Sequence, residues 1–150
     1  GNGCASCRLR FLLRSLSFRP ESGFLLHLQL CLAFALGCRI GDPCWEALAA
    51  RARGLAHAAA GERTAALDWL RDAAVRAVRV ADPYVWMHAH CLDALAGVAI
   101  AEAAPDARTC VGRLEWLAAR GDMRELIVRA ALHRARLGDS SGLGSARLLG

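Results

Sequence analysis

Lysine is absent from this chain, so all nineteen of its basic residues are arginine. A Walker A loop needs a lysine to reach the phosphates of a nucleotide, so this sequence contains no site of that kind. We attribute the arginine bias to GC-rich coding and not to phosphate binding. Aromatic residues are also scarce, at 6% against 55% for hydrophobic residues as a whole. The apolar content is therefore mainly alanine and leucine, which favour helices over strands.

Concentrated positive charge is missing from most of the chain. Residues 1–41 hold five arginines and one acidic residue, whereas residues 42–150 hold fourteen arginines and thirteen acidic residues. Nucleic-acid binding needs a basic face in which such charges cluster. The body of the chain is nearly neutral, so we expect no direct nucleic-acid contact from it and regard only the first segment as a weak candidate.

A regular cysteine framework and a long apolar run are missing as well. The seven cysteines are odd in number and irregular in spacing, which indicates reduced thiols inside a cell. The apolar run at residues 24–36 is shorter than the roughly 20 residues of a membrane span. We expect a buried helix there and a cytoplasmic protein without membrane contact. The preceding arginines also resemble the start of a secretory signal, an alternative disfavoured because no cleavage site follows in good context.

Helix-start signals recur along the chain at one period. Asp42-Pro43 and Asp82-Pro83 lie 40 residues apart, and each pairs an Asp N-cap with a Pro at the first helical position. Asp122 follows 40 residues later, with Glu125 three positions beyond it, as in a capping box. Residues 67–70 (LDWL) are echoed by residues 114–117 (LEWL). Two independent echoes predict an internal repeat.

Interruptions at Gly61-Glu62 and Pro105-Asp106 divide the repeat region into five helices. Their predicted ranges are 42–60, 62–80, 83–103, 106–119 and 122–137. No window alternates as a strand would. The sequence therefore predicts an all-α fold of antiparallel helix pairs stacked as a short α-solenoid over residues 37–138. Residues 1–36 are predicted to be helical or a partial repeat, and residues 139–150 a Gly- and Ser-rich loop or frayed end.

Small and large residues alternate in this region as they do in a tetratricopeptide unit. The positions that carry this resemblance are Gly54, His57, Gly61, Ala66, Leu70 and Ala73. Gly54 and Ala66 are expected to let two helices approach closely, while Leu70 fills the groove between units. The tetratricopeptide-like pattern predicts a protein-interaction fold.

The amino-acid sequence at residues 41–46, 82–86, 123–126 and 131–138 resembles the C-terminal helical-repeat region of large bacterial transcriptional regulators of the MalT and LuxR type. The resemblance covers residues 37–149. It implies a parent protein that binds ATP through a nucleotide-binding domain and DNA through a helix-turn-helix, with the repeats as sensor or scaffold. Neither of those active parts is visible in this chain, so only the role of the repeats carries over.

Metal-binding residue types are most dense at residues 88–93, where His88 and Cys91 lie one helical turn apart. His88 and His90 point about 200° apart on a helix and cannot share an ion. Cys4 and Cys7 have the spacing of a zinc knuckle or redox pair but lack a second pair. We favour packing roles and expect no cofactor. A small metal- or redox-responsive protein is the alternative function.

Acid–base catalysis would need carboxylates with perturbed pKa values in a cleft. The candidates are Glu46, Asp68, Asp93 and Glu115, which we expect on solvated helix faces with arginines nearby. The chain is therefore predicted not to be an enzyme.

Aromatic and basic side chains supply the candidates for partner binding. Trp45, Tyr84 and Trp86 are candidates to line a surface that a helical stack offers to a peptide, with packing between helices as the alternative. Arg129, Arg134 and Arg136 are candidates for an acidic partner, with surface solubility as the alternative. Trp69 and Trp116 are expected to pack between helices. The favoured function is a non-enzymatic interaction module in transcriptional or signalling control, which binds a protein segment or a second copy of itself.

Overall fold

The computed structural model describes residues 20–79 and 84–139, which form six α-helices and no strand. In chain order the helices are α1 (Pro20–Ile40), α2 (Pro43–Ala60), α3 (Arg63–Arg76), α4 (Val85–Ala101), α5 (Ala107–Arg120) and α6 (Arg124–Arg136). The prediction of an all-α fold is confirmed. The last five helices match the predicted ranges to within a few residues.

The turns on either side of α2 form as the sequence predicts. Oδ1 of Asp42 accepts a hydrogen bond from the backbone N–H of Cys44 at 2.8 Å, and Pro43 occupies the first helical position. At the other end Gly61 has a φ of +81°, a left-handed conformation that glycine adopts without steric cost. Its N–H bonds to the carbonyl of Ala58 and closes the helix.

The start of α6 differs from the prediction. Asp122 has a φ of +49° and belongs to the turn after α5, while Met123 takes the N-cap position without a side-chain hydrogen bond. The predicted capping box is wrong, because the tight turn places Asp122 in the left-handed region that aspartate tolerates better than most residues. Glu125 pairs with Arg129 at 3.0 Å instead. Asp82-Pro83, the other predicted start, lies outside the described residues.

Small residues allow the helices to approach closely. A Cβ atom added at Gly54 would lie 2.6 Å from Cγ of Leu70 and 3.1 Å from the carbonyl oxygen of Ala66. The predicted close approach of α2 and α3 at Gly54 and Ala66 is therefore confirmed. Leu70 is fully buried and packs with residues of α4 and α5, including Leu95 and Val111.

Each helix packs on the next one along the chain, and α2 also packs on α4, and α4 on α6. The alternate helices α2, α4 and α6 therefore form a row of neighbours. This order of contacts is the one that stacked helix pairs produce. The solenoid arrangement itself stays a prediction.

The first helix corrects the prediction of a buried helix at residues 24–36. Five aliphatic residues spaced three or four apart are between 45 and 62% exposed, and we call them the α1 ridge: Leu25, Leu28, Leu32, Leu36 and Ile40. α1 packs with its opposite side on α2, where a Cβ atom at Gly37 would lie 3.2 Å from the backbone nitrogen of Glu46. The spacing of apolar residues identifies the apolar side of a helix, but it does not show whether another element packs on that side. In the described part of the chain, no helix has the length and apolar character to span a membrane.

Candidate interaction surfaces

An apolar aromatic surface lies on the free sides of α2 and α4. Trp45 is 57% exposed near the start of α2, and Trp86 is 52% exposed near the start of α4. Leu48 and Leu55 follow Trp45 at helical spacing and are also exposed. The structure therefore leaves two of the sequence-predicted candidates open to solvent, whereas Tyr84, the third, is half-buried against the core.

The two helices that carry this surface are joined beside it. Nε of Arg51 on α2 donates a hydrogen bond to the carbonyl oxygen of His90 on α4 at 3.1 Å. The ring of His90 meets the ring of Trp86 edge to face, with centroids 6.0 Å apart. We refer to these side chains of the two neighbouring helices together as the aromatic face: Trp45, Leu48, Leu55, Trp86 and His90.

The tryptophans of the two echoed LxWL segments have different environments. Trp69 packs as predicted: its ring lies edge to face with Phe34 at 5.0 Å, and the guanidinium of Arg53 lies 3.7 Å from its centroid. Trp116 is 61% exposed, so the prediction that it packs between helices is wrong. Phe34 of α1 covers Trp69, whereas Trp116 contacts the guanidinium of Arg120 from its own helix at 5.3 Å.

Glu46, expected on a solvated face, is only 3% exposed. Its carboxylate accepts hydrogen bonds from Arg76 at 2.5 Å and from Arg79 at 2.9 Å. Burial by itself raises the pKa of Glu46, but the hydrogen bonds and charges of these two arginines outweigh it and hold the pKa below its usual value. The group is an ionised internal support between α2 and the end of α3.

Asp93 is also buried, at 6% exposure, and ties α4 to α6. Its two oxygens pair with Nη1 of Arg129 at 2.7 Å and with Nε2 of His133 at 2.9 Å. Burial raises the pKa of Asp93, and the hydrogen bonds and charges of His133 and Arg129 lower it further than burial raises it. Because Glu46 and Asp93 are both buried, the prediction that they lie on solvated faces is wrong. Of the other two candidates, Asp68 is exposed and Glu115 is half-buried.

The arginines of α6 predicted to meet an acidic partner already have partners within the chain in two cases. Arg129 holds Asp93, and Arg134 holds Glu115 on α5 and Asp139 beyond α6. Arg136 is exposed. Arginine has five N–H donors and these side chains are part-exposed, so contact with an acidic partner stays a prediction.

The candidate metal ligands do not converge in the described ranges, where no three His, Cys, Asp or Glu side chains are placed to hold an ion. Burial raises the pKa of the Cys91 thiol to about 12, so it is protonated at neutral pH and a poor ligand. Burial and the charge of Arg113 lower the pKa of His88. Cys4 and Cys7 lie outside the described residues.

Sequence reasoning missed the buried pairs, although one signal was available. Asp93 is the only charged residue between Trp86 and Ala101, and His133 follows it at the 40-residue repeat spacing. A lone carboxylate in an apolar helix is buried and needs partners.

Comparison of this chain with protein-family models, with curated proteins and with solved structures finds no match.

Proposed function

We propose that this chain is a non-enzymatic interaction module that binds a protein segment across the aromatic face. The observation that supports it best is the exposure of Trp45 and Trp86, each more than half open to solvent on neighbouring helices. Tryptophan is enriched among the residues that carry most of the energy of protein interfaces. Apolar surface of this kind on a small protein is typical of an interaction site.

The chemistry of the aromatic face selects an apolar partner. Its members are two indoles, two leucines and one imidazole, and exposed Ala59 lies on the same helix side as Leu48 and Leu55. No member carries a fixed charge, so affinity would come from burying apolar area. A segment with large apolar side chains meets this requirement, whether it belongs to another protein or to a second copy of this chain.

In its wider context we propose a regulatory role. The repeat region that this sequence resembles serves as sensor or scaffold in large bacterial transcriptional regulators, and a binding face on a helical module suits that role. The coding sequence on either side of this chain tests the idea. A nucleotide-binding loop upstream or a helix-turn-helix downstream in the same reading frame is expected, and an uninterrupted frame that encodes neither would contradict the regulator context.

Binding itself is tested by selecting peptides from a random display library on the immobilised protein. Affinities of the selected peptides are then measured by calorimetry for the parent and for a double variant, Trp45→Ala with Trp86→Ala. Loss of two hot-spot residues is expected to weaken binding about a hundredfold, since each contributes about 1.4 kcal/mol or more. The matched control is Trp116→Ala, which removes an equally exposed indole on α5.

Helicity measured by circular dichroism must be equal in all variants. If the double variant binds the selected peptides as tightly as the parent, the aromatic face is not the binding site. Sedimentation equilibrium distinguishes the two kinds of partner. If the parent is a dimer and the double variant is a monomer, the occupant of the aromatic face is a second copy of the chain. If the parent is a monomer, the occupant is a segment of another protein.

A further inference from the structure

A concave surface lies on another side of α4, between that helix and α5. Its volume is about 520 Å³, within the range of small-molecule sites. The lining residues are His88, Leu92, Thr109, Gly112, Arg113, Trp116 and Leu117. Trp86 and His88 are two positions apart on α4 and point in nearly opposite directions, about 200° apart. The α4–α5 groove is therefore separate from the aromatic face.

The groove has an apolar base and an aromatic edge. Leu92 and Leu117 are buried and form the base, whereas Trp116 is exposed and stands at the edge. Gly112 keeps the middle open, because a Cβ atom added there would meet no atom within 4 Å. A flat ring can lie on the leucines and beside the indole, in the offset or edge-to-face arrangements that aromatic pairs prefer.

The polar groups of the groove favour an anion. Arg113 belongs to the lining, and the guanidinium of Arg120 lies over the ring of Trp116. No lining residue is acidic, and the nearest acid of α5 in sequence, Glu115, is held by Arg134. Nε2 of His88 is buried and has no hydrogen-bond partner. That atom is closed off from the groove, so the preference for an anion rests on Arg113.

From the base, the edge and the charges together, we propose that the α4–α5 groove binds a small aromatic carboxylate. The ring lies on Leu92 and Leu117 beside Trp116, and the carboxylate faces the guanidinium of Arg113, with which it forms paired charge-assisted hydrogen bonds. The site is independent of the aromatic face and of the function proposed for it.

The probe is 2-naphthoate, with 2-naphthamide as the neutral compound of the same shape. Calorimetry is expected to give one site with a Kd below about 1 mM, the affinity that the contact of a ring of this size supports. In a ¹⁵N-correlated NMR spectrum the four indole N–H signals report on the four tryptophans, and that of Trp116 is expected to shift most. The amide is expected to bind about tenfold more weakly.

Two variants localise the binding. Arg113→Gln is expected to reduce naphthoate affinity about tenfold while leaving that of the amide unchanged; Arg124→Gln, an exposed arginine of α6, is its control. Gly112→Leu places a side chain in open space, so the helix forms while the groove is filled and binding of both compounds is lost. Ala60→Leu at the exposed end of α2 is the control.

Three results would overturn the proposal. In the first, Gly112→Leu folds with parent helicity and still binds naphthoate. In the second, the amide binds as tightly as the acid, which would show that the groove does not recognise the carboxylate and is only an apolar patch. In the third, an acetylated and amidated Phe-Glu dipeptide, which carries a ring and a carboxylate in peptide form, binds more tightly than naphthoate. That last outcome identifies the groove as a site for an acidic protein segment.

Discussion

Nε2 of His133 on α6 lies 2.9 Å from Oδ1 of Asp93 on α4, and both side chains are buried. Arg129 holds the other carboxylate oxygen at 2.7 Å. This arrangement fixes the register of two helices that are separated in the chain by α5. It replaces apolar contact at one point of the core with a hydrogen-bonded polar network, in which the loss of one member leaves the others without that partner.

We expect Asp93→Ala to destabilise the protein by about 3 kcal/mol. Removal of one member of a buried charge pair costs about 3–5 kcal/mol, and the half-exposed Arg129 can regain water, which places this case at the lower end. Urea unfolding monitored by circular dichroism measures the change. Asp68→Ala is the control, because Asp68 pairs with Arg71 at the exposed surface and its loss should cost less than about 1 kcal/mol. Equal costs for the two variants would contradict the internal role of Asp93.

Stability should fall in acid because of the same buried carboxylates. The pKa values of Glu46 and Asp93 lie below their ordinary values of 4.5 and 3.8 in the folded protein. Near pH 4 the unfolded chain therefore binds more protons than the folded one, so the free energy of unfolding rises with pH. The contribution is complete above about pH 5 and is lost as the pH falls through the lowered pKa values.

Urea midpoints between pH 3 and pH 7 measure this dependence. We call the fall of stability below about pH 5 the acid limb. Glu46→Gln is expected to make this limb less steep, since the variant has no carboxylate to protonate at that position. Asp68→Asn removes a carboxylate from the surface and should leave the limb as steep as in the parent. An acid limb that is unchanged by Glu46→Gln would show that Arg76 and Arg79 do not lower the pKa of Glu46.

Local signals in the sequence were sufficient for the secondary structure. The Asp42 cap, the Gly61 turn and the three-to-four spacing of apolar residues each act within one or two helical turns, so they can be interpreted without knowledge of the rest of the fold. Leu70 and Ala74 of α3 are four positions apart and buried, as are Leu126 and Ala130 of α6. The close approach at Gly54 was expected from the resemblance to a tetratricopeptide unit, which implies a small residue at that position.

The same local signals did not predict which element packs against each side of a helix. Trp69 and Trp116 occupy matching LxWL segments, yet only Trp69 has Phe34 against it. The choice depends on which helix lies opposite, a long-range property. Asp93 is the opposite case: its charge predicts exposure to solvent, whereas partners 36 and 40 residues away allow its burial.

Alanine substitution at two helical glycines should change stability in opposite directions. Gly54→Ala places a methyl group 2.6 Å from buried Leu70, and we expect overpacking to cost about 1–3 kcal/mol. Gly112→Ala meets open space, and we expect a gain of about 0.5–1 kcal/mol because glycine is a poor helix former. Thermal unfolding of both variants tests the pair. A stabilising Gly54→Ala would contradict the close packing of α2 on α3.

The α1 ridge is expected to tolerate polar residues that the core cannot. Leu70→Ala should cost about 2–5 kcal/mol, because it opens a cavity at a fully buried position, whereas Leu32→Ala should change stability by less than about 0.5 kcal/mol. Because contiguous exposed apolar residues promote association, we expect light scattering to detect concentration-dependent self-association of the parent. Leu32→Glu combined with Leu36→Glu should lower it. Unfolding of the double variant in buffer would contradict the exposure of the α1 ridge.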